Sequence, residues 1–165
     1  MKIFRLIVSS LLVLAMVFAF AACSGKDAVK DYDVKNVAKS ILDSCKFEDS
    51  YMEEIPNPEF TLDGIYNVDP ALIAEKDGVK QAAVYVASSG PEAVICFKAV
   101  DVDAANTAMD HIQNRILEDI EGYKNYGPEK VPYLQNAVKL VKGDYVFVVV
   151  CADSSASSIV EGILK

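Results

Sequence analysis

Seven residues in the C-terminal third constrain the fold more than anything else in the chain. Tyr145 to Cys151 reads YVFVVVC, apolar at every position. A strand with one wet face alternates apolar and polar residues, so an unbroken apolar run wants cover on both faces or a central place in a sheet. Ala137 to Lys142 (AVKLVK) precedes it across Gly143-Asp144, and Gly at the first central position suits a type II′ hairpin. Gln81 to Ala87 (QAAVYVA) and Glu92 to Val100 (EAVICFKAV) form a second β-rich pair around Ser88-Ser89-Gly90-Pro91, which is turn chemistry.

Helical periodicity fills the spaces between. Asp103 is read as opening a long helix whose apolar stripe is Ala105, Met109, Ile112, Ile116, Ile120 and Tyr123, ended by Gly122 and Gly127-Pro128. Asp153 caps a last helix that turns Ala156, Ile159, Val160 and Ile163 inward. Near the start, Asp33 caps a helix over 34–45 with Val34, Val37, Ala38, Ile41, Leu42 and Cys45 on one face. Pro56 and Pro58 bar a long helix, Phe60 to Tyr66 is ambiguous between a short strand and a turn, and Asp69-Pro70 opens a helix of one or two turns. This order predicts an α+β two-layer sandwich. Its mostly antiparallel four-stranded sheet (β-β-α-β-β-α) carries helices on one face, and an extra helix precedes it.

The first residues are expected to lie outside that fold. Lys2 and Arg5 precede an apolar run from Leu6 to Phe20, which at 15 residues is short for a membrane span and suits a signal peptide. Phe20-Ala21-Ala22-Cys23 resembles the lipobox of bacterial lipoproteins, with Phe20 where Leu is usual. The resemblance implies diacylglyceryl transfer to Cys23 and cleavage just before it. An ordinary secretory signal cleaved at Ala19-x-Ala21 is the plainer alternative. The expected organisation is a lipoprotein signal peptide over 1–22, a flexible tether over 23–32 and one globular domain over 33–165. Loss of Lys2 and Arg5 would move the net charge from −8 to −10. That acidity argues against a nucleic-acid partner, which needs a basic face.

Leu62-Asp63-Gly64-Ile65-Tyr66 through Asp69, the hairpin that follows, Arg115, Tyr126-Gly127-Pro128 and Gly143-Asp144-Tyr145-Val146 together resemble a family of small bacterial lipoproteins, the domain of unknown function 4358. The resemblance spans about residues 34–164. It implies a lipid-anchored extracytoplasmic domain and carries no assigned activity.

Residue chemistry narrows the function classes. Cys45, Cys96 and Cys151 are far apart in sequence and His111 is the single histidine, so zinc spacing is missing. Asp31-x-Asp33 and Asp101-x-Asp103 fail as calcium loops at the third ligand. No phosphate cradle and no nucleophile elbow occurs, and no cofactor is expected. Glu53-Glu54 and Glu118, Asp119 and Glu121 read as solvated faces. Cys96 and Cys151 read as packing residues. With Cys23 lipidated, the three other thiols allow at most one internal disulfide. The uneven feature is aromatic: Tyr123, Tyr126 and Tyr133 surround Gly127-Pro128 and Pro132, with Arg115 two turns earlier. They form a candidate binding surface for a peptide or an anionic ligand, or else they pack that segment onto the sheet while Arg115 pairs with Asp119. The expected function is a non-catalytic binding or interaction module. It would be held by lipid on Cys23 at the extracytoplasmic side of the membrane, with a protein or small molecule as partner. A small extracytoplasmic hydrolase is the alternative, and a transporter's solute-binding component is a third reading.

Overall fold

The computed structural model describes residues 30–49 and 51–165; the expected signal peptide, Cys23 and most of the tether lie outside them. Asp31–Lys165 form one compact unit. Its elements are α1 (Val34–Ser44), β1 (Met52–Glu54), α2 (Pro58–Tyr66), a 3-10 turn (Pro70–Leu72), β2 (Glu75–Lys76), β3 (Val79–Lys80), β4 (Ala82–Ala87), β5 (Ala93–Lys98), α3 (Val102–Tyr126), a second 3-10 turn (Pro128–Lys130), α4 (Val131–Gln135), β6 (Val138–Lys142), β7 (Tyr145–Val150) and α5 (Ala156–Ile163).

The fold is α+β and its main sheet is antiparallel, in the order β1-β4-β5-β7-β6. The expected count of four strands is corrected to five. β1 is the addition, a three-residue edge strand pairing Met52 with Ala87 and Glu54 with Tyr85; three residues with two adjacent glutamates give no period to read. The two-layer arrangement is corrected as well, because helices cover both faces. Ala82, Val84, Ile95, Phe97, Val146, Val148 and Val150 pack with Leu62 of α2, Ile112 of α3 and Leu134 of α4. Ala83, Tyr85, Val94, Cys96, Tyr145, Phe147, Val149 and Cys151 pack with Ile41 of α1 and Val160 of α5. The extra N-terminal helix is therefore the cover of the second face. The YVFVVVC run explains the arrangement: β7 lies between β5 and β6, and its successive residues fill two opposite cores.

Local chemistry sets the boundaries. Asp33 Oδ1 accepts from the Lys35 and Asn36 amides, both at 3.1 Å, and starts α1. Asp101 rather than Asp103 caps α3, accepting from the Ala104 amide at 2.7 Å. Gly122 stays inside α3, which runs to Tyr126 because Ile120 and Tyr123 still have core to cover. Gly143 has φ 61, and Asp144 is not in the positive-φ region, as the type II′ turn requires. Phe60 to Tyr66 resolves as helix: Pro58 sits in its first turn, Leu62 is fully buried, and Asn67 ends it at φ 54. Asp77 and Gly78, both at positive φ, join β2 to β3 as a type I′ turn.

The antiparallel order divides the unit into two ends. α1 and α3 start at the end where β5 finishes and β7 begins, and run to the end where β4 and β7 finish. At 1.5 Å per residue, the 25 residues of α3 span about 37 Å.

Candidate functional site

The sequence-derived candidates gather along the second half of α3 and the segment after it. Arg115 Nε donates to Asp119 Oδ1 at 2.9 Å, one turn on, and its Nη1 reaches the Ile65 carbonyl of α2 at 3.4 Å. Next to it, Asn67 Nδ2 and His111 Nδ1 approach to 3.2 Å. Arg115 and His111 therefore dock the C-terminus of α2 onto α3. Burial raises the Asp119 carboxyl above its ordinary value, against the lowering effect of Arg115. Burial, reinforced by Asp119, pushes the Tyr66 hydroxyl up to about 12.

Two turns further, the rings of Tyr123 and Tyr126 lie 4.9 Å apart, inclined at 40°. Tyr123 packs on the core, whereas Tyr126 is 74% exposed. Gly127 makes this approach possible, since a Cβ there would come within 3.0 Å of the Tyr123 ring. The chain then turns back through the 3-10 turn and α4. Tyr133 packs on the core beside it, and its hydroxyl donates to Glu48 Oε2 at 3.0 Å. Lys130 ion-pairs with the same Glu48 and lies 5.3 Å from the centre of the Tyr133 ring. These two partners, Lys130 first, hold the Glu48 carboxyl below its ordinary value.

Glu48 is the site residue that sequence reasoning missed. It belongs to a strap, residues 45–49, that follows α1 and is fixed by carboxylates. Glu92, 2% exposed, accepts from the Glu48 amide at 2.9 and 3.0 Å, from the Asp49 amide at 2.9 Å and from the Ala152 amide at 3.3 Å. Asp49 Oδ2 accepts from the Ser88 hydroxyl at 2.8 Å and the Ser89 amide at 3.0 Å. The Ser88 hydroxyl first, then the Tyr51 and Ser89 amides, bring the Asp49 carboxyl down to about 2. Asp153 Oδ2 accepts from the Lys46 amide at 3.0 Å. No sequence spacing announces this cluster, because it joins four distant segments.

The arrangement is a rigid shelf carrying an exposed tyrosine. Its three cations already face carboxylates: Arg115 on Asp119, Lys124 on Glu121 at 2.5 Å, and Lys130 on Glu48. A small anion would have to displace one of these partners, so the shelf suits a ligand that offers hydrogen bonds and apolar contact, as a protein segment does. Among the described residues, no group of three or more His, Cys, Asp and Glu side chains is placed to hold a metal, and no helix is long and apolar enough to cross a membrane. Cys45, Cys96 and Cys151 are buried free thiols.

A family model described as a domain of unknown function (DUF4358) matches residues 69–151. That span covers the strands β2 to β7 with α3 and α4, and leaves out the Glu48 strap and Leu62 to Tyr66, the latter having contributed to the resemblance. No curated protein and no solved structure matches the chain.

Proposed function

The chain belongs to the DUF4358 family, and from that premise we propose that it is a bacterial lipoprotein. In this reading lipid on Cys23 anchors it to the extracytoplasmic face of the membrane, and the domain is a non-catalytic binding module. The observation that carries the reading is the placement of the entry point and the shelf. The chain enters the compact unit at Asp31 and Tyr32, beside the start of β7: the Tyr32 amide donates to the Tyr145 hydroxyl at 3.2 Å. Tyr126 stands at the far end of α3, a helix about 37 Å long. A chain tethered through residues 23–32 would present Tyr126 away from the lipid surface, toward whatever the envelope offers it. The fixed backbone around Gly127, Pro128 and Pro132 lets Tyr126 engage a partner at small entropic cost.

The test uses the full chain in a bacterial host. Cys23→Ala is expected to abolish incorporation of labelled fatty acid and to release the protein from membranes. In the anchored wild-type background, a photo-crosslinking amino acid at position 126 is expected to trap a discrete adduct, while the same group at exposed Val79, near the entry point, traps none. Retention of the Cys23→Ala chain in membranes overturns the lipid anchor. Equal trapping at both positions, or none at 126, overturns the binding surface.

A further inference from the structure

Two of the three buried thiols sit at the strap. Cys45 caps the C-terminus of α1 and Cys151 follows β7; both are 7% exposed and belong to the same apolar cluster. The segments that carry them are held side by side by contacts in which neither thiol pairs with the other. Glu92 binds the Glu48 and Asp49 amides on one segment and the Ala152 amide on the other. Asp153 accepts from the Lys46 amide at 3.0 Å, while its own carbonyl accepts from Cys151 Sγ at 3.9 Å. Within this frame the two thiols share one apolar cluster on bridged segments, and burial pushes Cys45 up to about 12. Cys96 lies apart from them in mid-strand on β5, fully buried and opposite Phe147 in the register.

We propose that Cys45 and Cys151 are an oxidation site: they join as a disulfide that locks the Glu48-bearing strap to the end of β7, and Cys96 remains reduced. The proposal rests on the extracytoplasmic reading above, because that is where disulfides persist. The oxidant is a disulfide, carried by a thiol–disulfide oxidoreductase or by a small molecule such as oxidised glutathione. One thiol of the pair loses its proton and attacks a sulfur of that oxidant, giving a mixed disulfide and releasing one thiolate. The second thiol, deprotonated in turn, attacks the protein sulfur of the mixed disulfide and expels the oxidant's remaining thiolate. Two protons and two electrons leave the pair, and the oxidant ends as two thiols. Burial keeps both thiols protonated in the folded dithiol, so the exchange runs during folding, while they are still wet. Its consequence for the shelf is direct: Glu48, three residues beyond Cys45, orients both Lys130 and Tyr133.

The full chain, purified in detergent, is refolded in glutathione buffers of defined ratio, alkylated and cut with trypsin. The expected product joins peptide 40–46 to peptide 143–165 with the loss of two hydrogens, and it predominates at oxidising ratios. Cys96→Ala leaves it in place, and the melting temperature of the oxidised chain exceeds that of the reduced chain by roughly 10 °C. Absence of the linked pair at every ratio, or a link that includes Cys96 or Cys23, overturns the proposal. Because the buffer sets the redox potential, the result is independent of where the chain resides in the cell, and a failure here leaves the anchor reading standing.

Discussion

Where the chain enters the domain, aromatic rings close the sheet; where α3 ends, carboxylates do. At the entry end, Tyr32 meets Tyr145 edge-on at 5.1 Å and Phe147 at 5.7 Å, and its hydroxyl donates to the Leu164 carbonyl at 2.8 Å. Lys142 Nζ joins the same carbonyl at 2.7 Å. At the shelf end, Glu92 and Asp153 hold the strap by its backbone amides, Asp49 of the strap accepts from Ser88 and Ser89, and Glu48 holds Lys130 and Tyr133. The first arrangement draws mainly on burial and ring contact, with Asp31 and Asp144 facing Lys98 beside it. The second draws on charge-assisted hydrogen bonds, which are strong, directional and titratable. A site that must be shaped tightly yet lie near water is well served by the second kind of closure.

A matched pair of substitutions gives the largest effects. Tyr145→Ala removes a ring packed against two others and is expected to lower unfolding stability by about 4 kcal/mol. Glu92→Ala orphans three backbone amides at the opposite end and is expected to cost about 3 kcal/mol. Denaturant unfolding of both variants checks the ranking. The comparison breaks if Glu92→Ala is neutral.

Acid separates the two ends next. The carboxyls of Asp49, Glu48 and Asp153 are depressed in the folded state, by Ser88, Lys130 and Ser155 respectively as the leading partners. The unfolded chain therefore binds more protons in this range. The stability these groups contribute is fully present above their unfolded values near 4 and is lost as pH falls toward 2. Hydrogen exchange measured stepwise from pH 5 to 2.5, after correction for intrinsic rates, is expected to show the Lys46, Glu48 and Asp49 amides losing protection before the Tyr32 amide. Simultaneous loss would mean that the two ends do not open separately.

The smallest effect sharpens the site itself. Tyr126→Ala, at a side chain that is 74% exposed, is expected to change stability by less than about 0.5 kcal/mol. Tyr123→Ala, at the ring that packs on the core, is expected to cost about 1–3 kcal/mol. Thermal melts of the two variants distinguish an exposed contact residue from a packing residue on the same shelf.

The elements easiest to read from the sequence were those with period and caps together. α1, both long hairpins, α3 and α5 all follow from apolar spacing joined to Asp or Gly signals. α2 was obscured because its nine residues include Gly64 and expose Phe60 and Ile65, which blurs the stripe. The β2–β3 hairpin is signalled in the sequence by Asp77-Gly78 alone, because its strands of two residues each are too short to show a period. β1 needs β4 as its template, and a local window cannot supply that. At the site, Tyr123, Tyr126, Tyr133 and Arg115 were visible as composition, and the pairing of Arg115 with Asp119 follows from their i,i+4 spacing. Glu48 and Glu92 were not visible, since their roles arise from segments more than forty residues apart.

The two edges of the sheet have a consequence for crowding. β1 offers three residues and carries Glu53 and Glu54, while β6 offers five and carries Lys139 and Lys142. Two copies meeting by the same edge would bring like charges together along the unpaired amides, which disfavours symmetric strand pairing. Surface confinement brings copies far closer together than dilution in bulk solvent does. In the proposed anchored state, the glutamates and lysines would act as spacers that keep one sheet from continuing into the next.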